Sequence, residues 1–302
     1  MPYPLLEKLI QESKSRLALG VVYPLNKTAL ETVHQLIKKE LCIPILIGPK
    51  ARIVQLAEKE HLSITGLEII DTPDDPTEAS KKAVEMVKEN KLSALMKGSL
   101  HTEDLMGPIV SRTGLRTERR TSHLFLLELE RYPKLLGLSD CVVNITPNAA
   151  QKKEILKNSL EALNKLGVQN SKVAIVAATE TINPVMQSTL DAQEIVDAHL
   201  TNPIHPNTLI EGPFGFDNAI SALAAEIKGI QSKVAGDPDL LLVPDLQVGN
   251  ILYKSLIYLA GAECAGVVLG AQVPIILTSR ADSIFSRVAS TAMAIRLAQQ
   301  SK

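Results

Sequence analysis

An apolar run at residues 273–277 stops at Thr278-Ser279-Arg280-Ala281-Asp282-Ser283, and beyond it Ile284, Val288 and Ala292 recur four apart, a helical spacing. A strand ending in small hydroxyl residues and an arginine, at the mouth of a helix, is an anion-binding arrangement. The free N–H groups of the first helical turn and the positive end of the helix dipole converge on one spot. Arg280 adds a planar fork of donors matched to phosphate or carboxylate, and Thr278 and Ser279 add hydroxyls. The plainer reading of the same residues is a cap, with Ser279 or Asp282 closing a helix end and Arg280 a solvated charge.

Other strand-like runs end in the same way. Ala94-Leu95-Met96 leads into Lys97-Gly98-Ser99-Leu100-His101-Thr102, and residues 173–178 lead into Thr179-Glu180-Thr181-Ile182-Asn183-Pro184. Leu209-Ile210 leads into Glu211-Gly212-Pro213, and residues 240–243 lead into a turn that reaches Asn250. In open parallel sheets ligands bind outside the carboxyl ends of the strands, so these turns are expected to converge on one cleft. With Arg280 they suit a large, phosphate-bearing ligand, although any single polar turn has ordinary causes. Arg112, Arg116, Arg119 and Arg120 fall within nine residues ahead of another apolar stretch, either as a phosphate clamp or as a solvated loop. His123 reads equally as a structural or a catalytic histidine.

Several chemistries are excluded. The chain has no GxSxG elbow, no HExxH and no GxxxxGK[ST], and no GxGxxG follows the early strands. Cys42, Cys141 and Cys264 are odd in number and far apart, which argues for a reducing compartment and against a disulfide framework or zinc site. Glu263 beside Cys264 would raise its pKa, so buried, inert thiols are expected. No metal site is expected.

Short apolar runs alternate with helical patterns almost throughout. Strands are expected at residues 21–22, 43–47, 67–70, 94–96, 124–127, 141–145, 173–177, 240–243, 266–269 and 273–277. Most are continuous runs, as sheet strands covered on both faces require. Asp75-Pro76-Thr77-Glu78 opens one helix, Asn148 and Gln151 open another, and Asp217 is expected to cap a third with Ile220, Leu223, Ala224 and Ile227 inward. The repeated βα order predicts an α/β protein with two doubly wound domains. At 302 residues two cores are expected. The boundary is set at the proline turn of residues 144–148: a discontinuous first domain of residues 1–145 plus about 270–302, and a second of residues 146–269.

A formal net charge of -1, with no basic block, excludes nucleic acid as a partner. No apolar run reaches the roughly 20 residues of a membrane span, and the amphipathic, acid-containing first residues differ from a signal peptide, so a cytoplasmic protein is expected.

MKGSLHTEDLM (96–106), RRTSHLF (119–125), ETINPVMQSTLDA (180–192), EGPFGFDNAIS (211–221), VAGDPDLLLVPDLQVGNILYK (234–254) and PIILTSRADS (274–283) resemble, in order, the motifs of the phosphate acetyl/butyryltransferase family. The TSRADS and VPDLQVGNILYK blocks are most similar to the butyryl-type branch. The resemblance implies acyl-CoA + phosphate ⇌ acyl phosphate + CoA, in a ternary complex without a covalent enzyme intermediate. It implies two α/β domains with a cleft between them, a fold similar to isocitrate and isopropylmalate dehydrogenases, and a homodimer or larger homo-oligomer. Coenzyme A is then a substrate, and no cofactor is bound permanently. The family's Ser-Arg pair falls on Ser279 and Arg280, with the arginine expected to hold the phosphate; a donor must also stabilise the tetrahedral oxyanion, and Ser279 is the candidate. Thr278, Lys97, Arg120, Glu180 and Asn250 are assigned to phosphate or CoA contacts. Acetyltransferase members carry an aspartate seven residues after the motif serine as base. Here that position is Ser286, so either Asp282 or the phosphate itself takes the thiol proton.

Two other readings stay open. A metal-dependent decarboxylating dehydrogenase on the same fold needs an aspartate cluster that the region of Arg280 lacks. A non-catalytic binding protein for acyl phosphate or CoA would bind without turnover.

Overall fold

Continuous apolar runs bounded by polar turns become strands buried on both faces, and the amphipathic stretches between them become the covering helices. The structure is a computed structural model and describes residues 3–277 and 282–300. It divides into two units, Met1–Arg119 with Ala265–Lys302, and Arg120–Cys264.

The first unit opens with α1 (Pro4–Glu12), β1 (Ala18–Val22), α2 (Lys27–Lys38), β2 (Ile43–Gly48), α3 (Lys50–Lys59), β3 (Glu68–Asp71), α4 (Pro76–Lys88), β4 (Ala94–Lys97) and α5 (Thr102–Val110). The second holds β5 (Ser122–Glu128), β6 (Leu136–Ser139), α6 (Ala149–Lys165), β7 (Lys172–Val176) and α7 (Gln187–Thr201). It continues with β8 (Leu209–Phe214), α8 (Phe216–Ile220), α9 (Ala222–Ile227), β9 (Leu240–Leu242) and α10 (Leu246–Tyr258). The chain then returns through β10 (Glu263–Leu269), β11 (Ile275–Ile276) and α11 (Ile284–Gln299).

In the first unit the strand order is β3-β2-β1-β4-β11-β10, parallel except for the antiparallel β10–β11 pair. In the second it is β5-β6-β9-β7-β8, parallel except for the β5–β6 hairpin. The expected α/β class is the one the chain adopts. Each unit has its own core: Leu19, Leu46, Ile47, Leu95 and Met96 are buried in one, and Phe125, Leu138, Val176 and Leu241 in the other. Asp75 caps α4 by accepting from the N–H groups of Thr77 and Glu78, and Asn148 and Gln151 form a reciprocal capping box on α6, as their spacing predicts.

Three local expectations are corrected. Residues 141–145 are a bend and not a strand, because the Asp140 carboxylate takes the backbone N–H groups of Val142 (2.9 Å) and Val143 (3.0 Å) that a ladder would need. The strand at this point is the preceding β6. The helix expected from Asp217 is two helices, since Ser221 accepts from the N–H of Ala224 and caps a new start. Leu223 and Ile227, read as inward, are 65% and 77% exposed. The cap of α11 is neither Ser279 nor Asp282 but Ser283, whose hydroxyl accepts from the N–H of Ser286 at 2.9 Å.

Candidate functional site

In the first unit, β11 runs parallel to β4 with Ile275 opposite Leu95 and Ile276 opposite Met96. Lys97 and Leu277 therefore leave the sheet at the same edge, the carboxyl end of both strands. Thr278, Ser279 and Arg280, which follow directly, lie outside the described residues. Lys97 is only 8% exposed and its ammonium donates to the Leu100 carbonyl at 3.1 Å. The turn that carries it is locked to β1: Ser99 Oγ donates to the Tyr23 carbonyl (2.8 Å) and accepts from the N–H of Leu25 (2.9 Å). Gly98 is required there, because a Cβ would collide with the carbonyl oxygens of Val22 and Tyr23.

Asp282 is half-buried just ahead of α11. Its charge acts on Arg287, one turn into the helix and 3% exposed. Burial pushes the guanidinium pKa down and the Asp282 carboxylate pushes it back up.

In the second unit, Arg120 leads into β5 and its Nη1 donates to Asn144 Oδ1 at 2.8 Å. Both Asn144 amide protons are committed elsewhere, to Asp140 Oδ2 (2.6 Å) and to the Thr121 carbonyl (2.9 Å). Asp140 is 3% exposed, and burial raises its pKa. Four donors counter that by favouring the carboxylate: the N–H groups of Val142, Val143 and His123, and the Asn144 amide. Asn158 pins the same strand start, giving its amide protons to the Arg120 carbonyl (2.7 Å) and Ser122 Oγ (2.9 Å).

Asn250, on α10, donates to the Cys141 carbonyl at 3.3 Å, so the structure brings it and Arg120 onto the one turn, residues 140–145. Gly249 allows that helix to approach, since a Cβ would sit 2.9 Å from the Asp140 carbonyl oxygen. Glu180 belongs to a separate cluster beyond β7, where it accepts from Asn218 (3.1 Å) and Lys228 (3.3 Å). Asp140 and Asn144 escaped the sequence reading. The signal that would have found them is an acid and an amide four residues apart inside an otherwise apolar run.

Among the described residues no three His, Cys, Asp or Glu side chains gather as a metal site. All three cysteines are buried. Burial pushes the Cys42 thiol up to about 12, and burial and then the charge of Asp140 push Cys141 upward, so neither is a ready nucleophile. His123 is fully buried against Phe125, with ring centroids 4.2 Å apart and both ring nitrogens without a hydrogen-bond partner. Burial lowers its pKa to about 3, which fits a neutral structural ring and not an acid–base catalyst at neutral pH. Among the described residues no helix is long and apolar enough to cross a membrane.

Residues 77–295 match the family described as "Phosphate acetyl/butaryl transferase". The chain is 41% identical to a phosphate acetyltransferase of Rickettsia typhi, over 94% of this chain and 81% of that one. It is 34% identical to a phosphate butyryltransferase of Clostridium acetobutylicum, over 95% of each. A solved branched-chain phosphotransacylase from Enterococcus faecalis superposes with a TM-score of 0.82 at 28% identity, covering 93% of this chain and 99% of that one.

Proposed function

This chain belongs to the phosphate acetyl/butyryltransferase family, and on that premise we propose how its residues exchange a short acyl group between coenzyme A and inorganic phosphate. It is an acyltransferase. In one direction a phosphate oxygen attacks the thioester carbonyl, the C–S bond breaks, and CoA leaves with a proton. In the other, the CoA thiol loses its proton and attacks the acyl phosphate. No covalent enzyme intermediate is needed, so both substrates must be held together at attack distance, and positioning alone is worth several kcal/mol.

We assign Arg280 to the phosphate, with Thr278 as a supporting hydroxyl, and Ser279 to the oxyanion that forms on the thioester carbonyl. One such donor typically contributes a factor of about 10²–10³. Lys97 and Arg120 serve phosphate groups of either substrate, and Glu180 and Asn250 complete the binding surface. Asp282 takes the thiol proton. The observation that supports the assignment is the β4–β11 register, which brings the buried residue Lys97 to the same sheet edge as Leu277, the residue before Thr278, Ser279 and Arg280. The two units serve as the two domains.

Acyl-CoA, inorganic phosphate and acyl phosphate are the partners, the compartment is the cytoplasm, and the working form is a homodimer or larger. An apolar stripe on α10 and its C-cap supports the last point: Val248, Ile251 and Tyr258, with Leu259 just beyond the helix, are 40%, 67%, 67% and 86% exposed.

The decisive experiment measures acyl-CoA-dependent acyl phosphate formation with acetyl-, propionyl-, butyryl- and longer acyl-CoA, in parent and Arg280→Ala. The variant loses at least about a hundredfold in kcat/KM, roughly 2.7 kcal/mol of transition-state stabilisation. A loss below about tenfold removes Arg280 as the clamp. Asp282→Asn slows thiolysis of acyl phosphate by CoA about tenfold or more. An unchanged rate gives the proton to the phosphate instead.

A further inference from the structure

An arginine that must hold an incoming anion needs a fixed side chain and an uncancelled charge, and a direct carboxylate partner supplies the first at the expense of the second. Arg120 is held differently. Among the described residues its side chain donates to a neutral amide oxygen, Asn144 Oδ1, at 2.8 Å. Among the described residues the remaining guanidinium N–H groups make no hydrogen bond to protein, and the side chain is half-buried.

The orientation of that amide is not free. Reversed, its oxygen would face the Asp140 carboxylate and the Thr121 carbonyl, and its NH₂ group would face the guanidinium. All three contacts would then be repulsive. Asp140 is held in turn by the N–H groups of Val142 and Val143, and Asn144 is 8% exposed, so the amide cannot rotate away into water. Asn158 holds the Arg120 backbone from the other side.

We propose that Asn144, fixed by Asp140, is a positioning residue for Arg120: it takes one guanidinium N–H, aims the others, and leaves the positive charge for a phosphate group of the substrate. This rests on the assignment of Arg120 to a phosphate group, and the test separates the two claims. Two sources present that chemistry, inorganic phosphate and the phosphates of CoA, and the KM that moves identifies which.

The experiment is a double-mutant cycle with Arg120→Ala, Asn144→Ala and the pair, reading kcat and the KM of inorganic phosphate and of acyl-CoA separately. Arg120→Ala raises one of the two KM values about tenfold. Asn144→Ala raises the same KM about three- to tenfold with kcat within about twofold, and in the Arg120→Ala background it changes that KM by less than about twofold. A purely structural role for Asn144 would lower the melting temperature equally with and without Arg120 and leave the KM unmoved.

If Asn144→Ala does not fold, Asn144→Ser keeps a hydroxyl that can still donate to Asp140 but is too short to reach the guanidinium, so the same KM rises, again only while Arg120 is present. If Arg120→Ala leaves both KM values and kcat unchanged, the anion assignment of Arg120 fails. If Arg120→Ala is damaging but the Asn144 effect adds to it in full, or is absent, the positioning role fails alone.

Discussion

Arg52 and Arg120 both stand near the carboxyl ends of parallel strands, one in each unit, and are held in opposite ways. Arg52 places Nη1 at 2.6 and 2.8 Å from the two Asp74 oxygens and 3.4 Å from the Tyr23 hydroxyl. The Arg52 and Asp74 side chains are about half exposed, and hydrogen bonds from Tyr23 and Arg52 hold the Asp74 carboxyl below its ordinary range. That is a closed surface ion pair, screened by water and salt. Arg120 meets an amide, and the carboxylate that balances it stands one residue further back, in the interior. The difference teaches that hydrogen bonding alone does not tell a spent arginine from an available one. What matters is whether the first partner carries charge.

The largest expected effect tests how dry the Arg120 region is. Burial lowers the His123 pKa from its ordinary 6.5 to about 3, so below pH 6.5 the unfolded chain takes up a proton that the folded chain refuses. Stability is therefore intact above pH 6.5 and is lost at about 1.4 kcal/mol per pH unit as pH falls towards 3. Asp140, whose pKa is raised, works in the opposite sense, so the measurement is the difference between parent and His123→Leu in denaturant unfolding across that range. A difference that stays flat with pH means water reaches the ring and the scaffold behind Arg120 is no drier than the surface around Arg52.

A smaller effect is catalytic. Arg120→Ala changes one substrate KM by about tenfold, while Arg52→Ala changes both by less than about twofold. Equal effects would erase the contrast. The smallest expected effect sharpens it: Asp74→Asn releases Arg52 from its carboxylate but leaves it exposed, so turnover stays within about twofold of the parent and only the salt dependence of stability changes.

Much of this was legible in the residue order, and the failures have a common cause. Strands such as β2 and β7 are announced by unbroken apolar runs, and the caps at Asp75 and Asn148 by side chains that reach only three residues. Residues 141–145 misled because Val142, Val143 and Ile145 have the composition of a strand, while one buried carboxylate next to them takes the backbone donors a strand would use. The Leu223–Ile227 spacing misled because Ser221 restarts the helix and rotates those residues outward. The partners of Arg120 were hidden for a third reason. Asn144 and Asn158 lie 24 and 38 residues from it, and only the β5–β6 hairpin and α6 carry them there. Periodicity reports on a residue's own element and says nothing of such meetings. Ser279 and Arg280 stand on the strand-end pattern and on motif resemblance, and the register that delivers Lys97 beside β11 could not be read from spacing.

The last part of the chain closes the first unit. β4 has β1 on one side and β11 on the other, and α11 reaches the opposite terminus through Arg296 Nη1 to the Glu12 carbonyl (3.2 Å) and Gln299 Nε2 to the Lys14 carbonyl (3.3 Å). During synthesis on a ribosome, residues 1–119 must therefore wait with one flank of β4 bare, while residues 120–264 can finish their own sheet. Maturation of the Lys97 edge is consequently a late event, complete only once β11 and α11 have left the exit tunnel and docked.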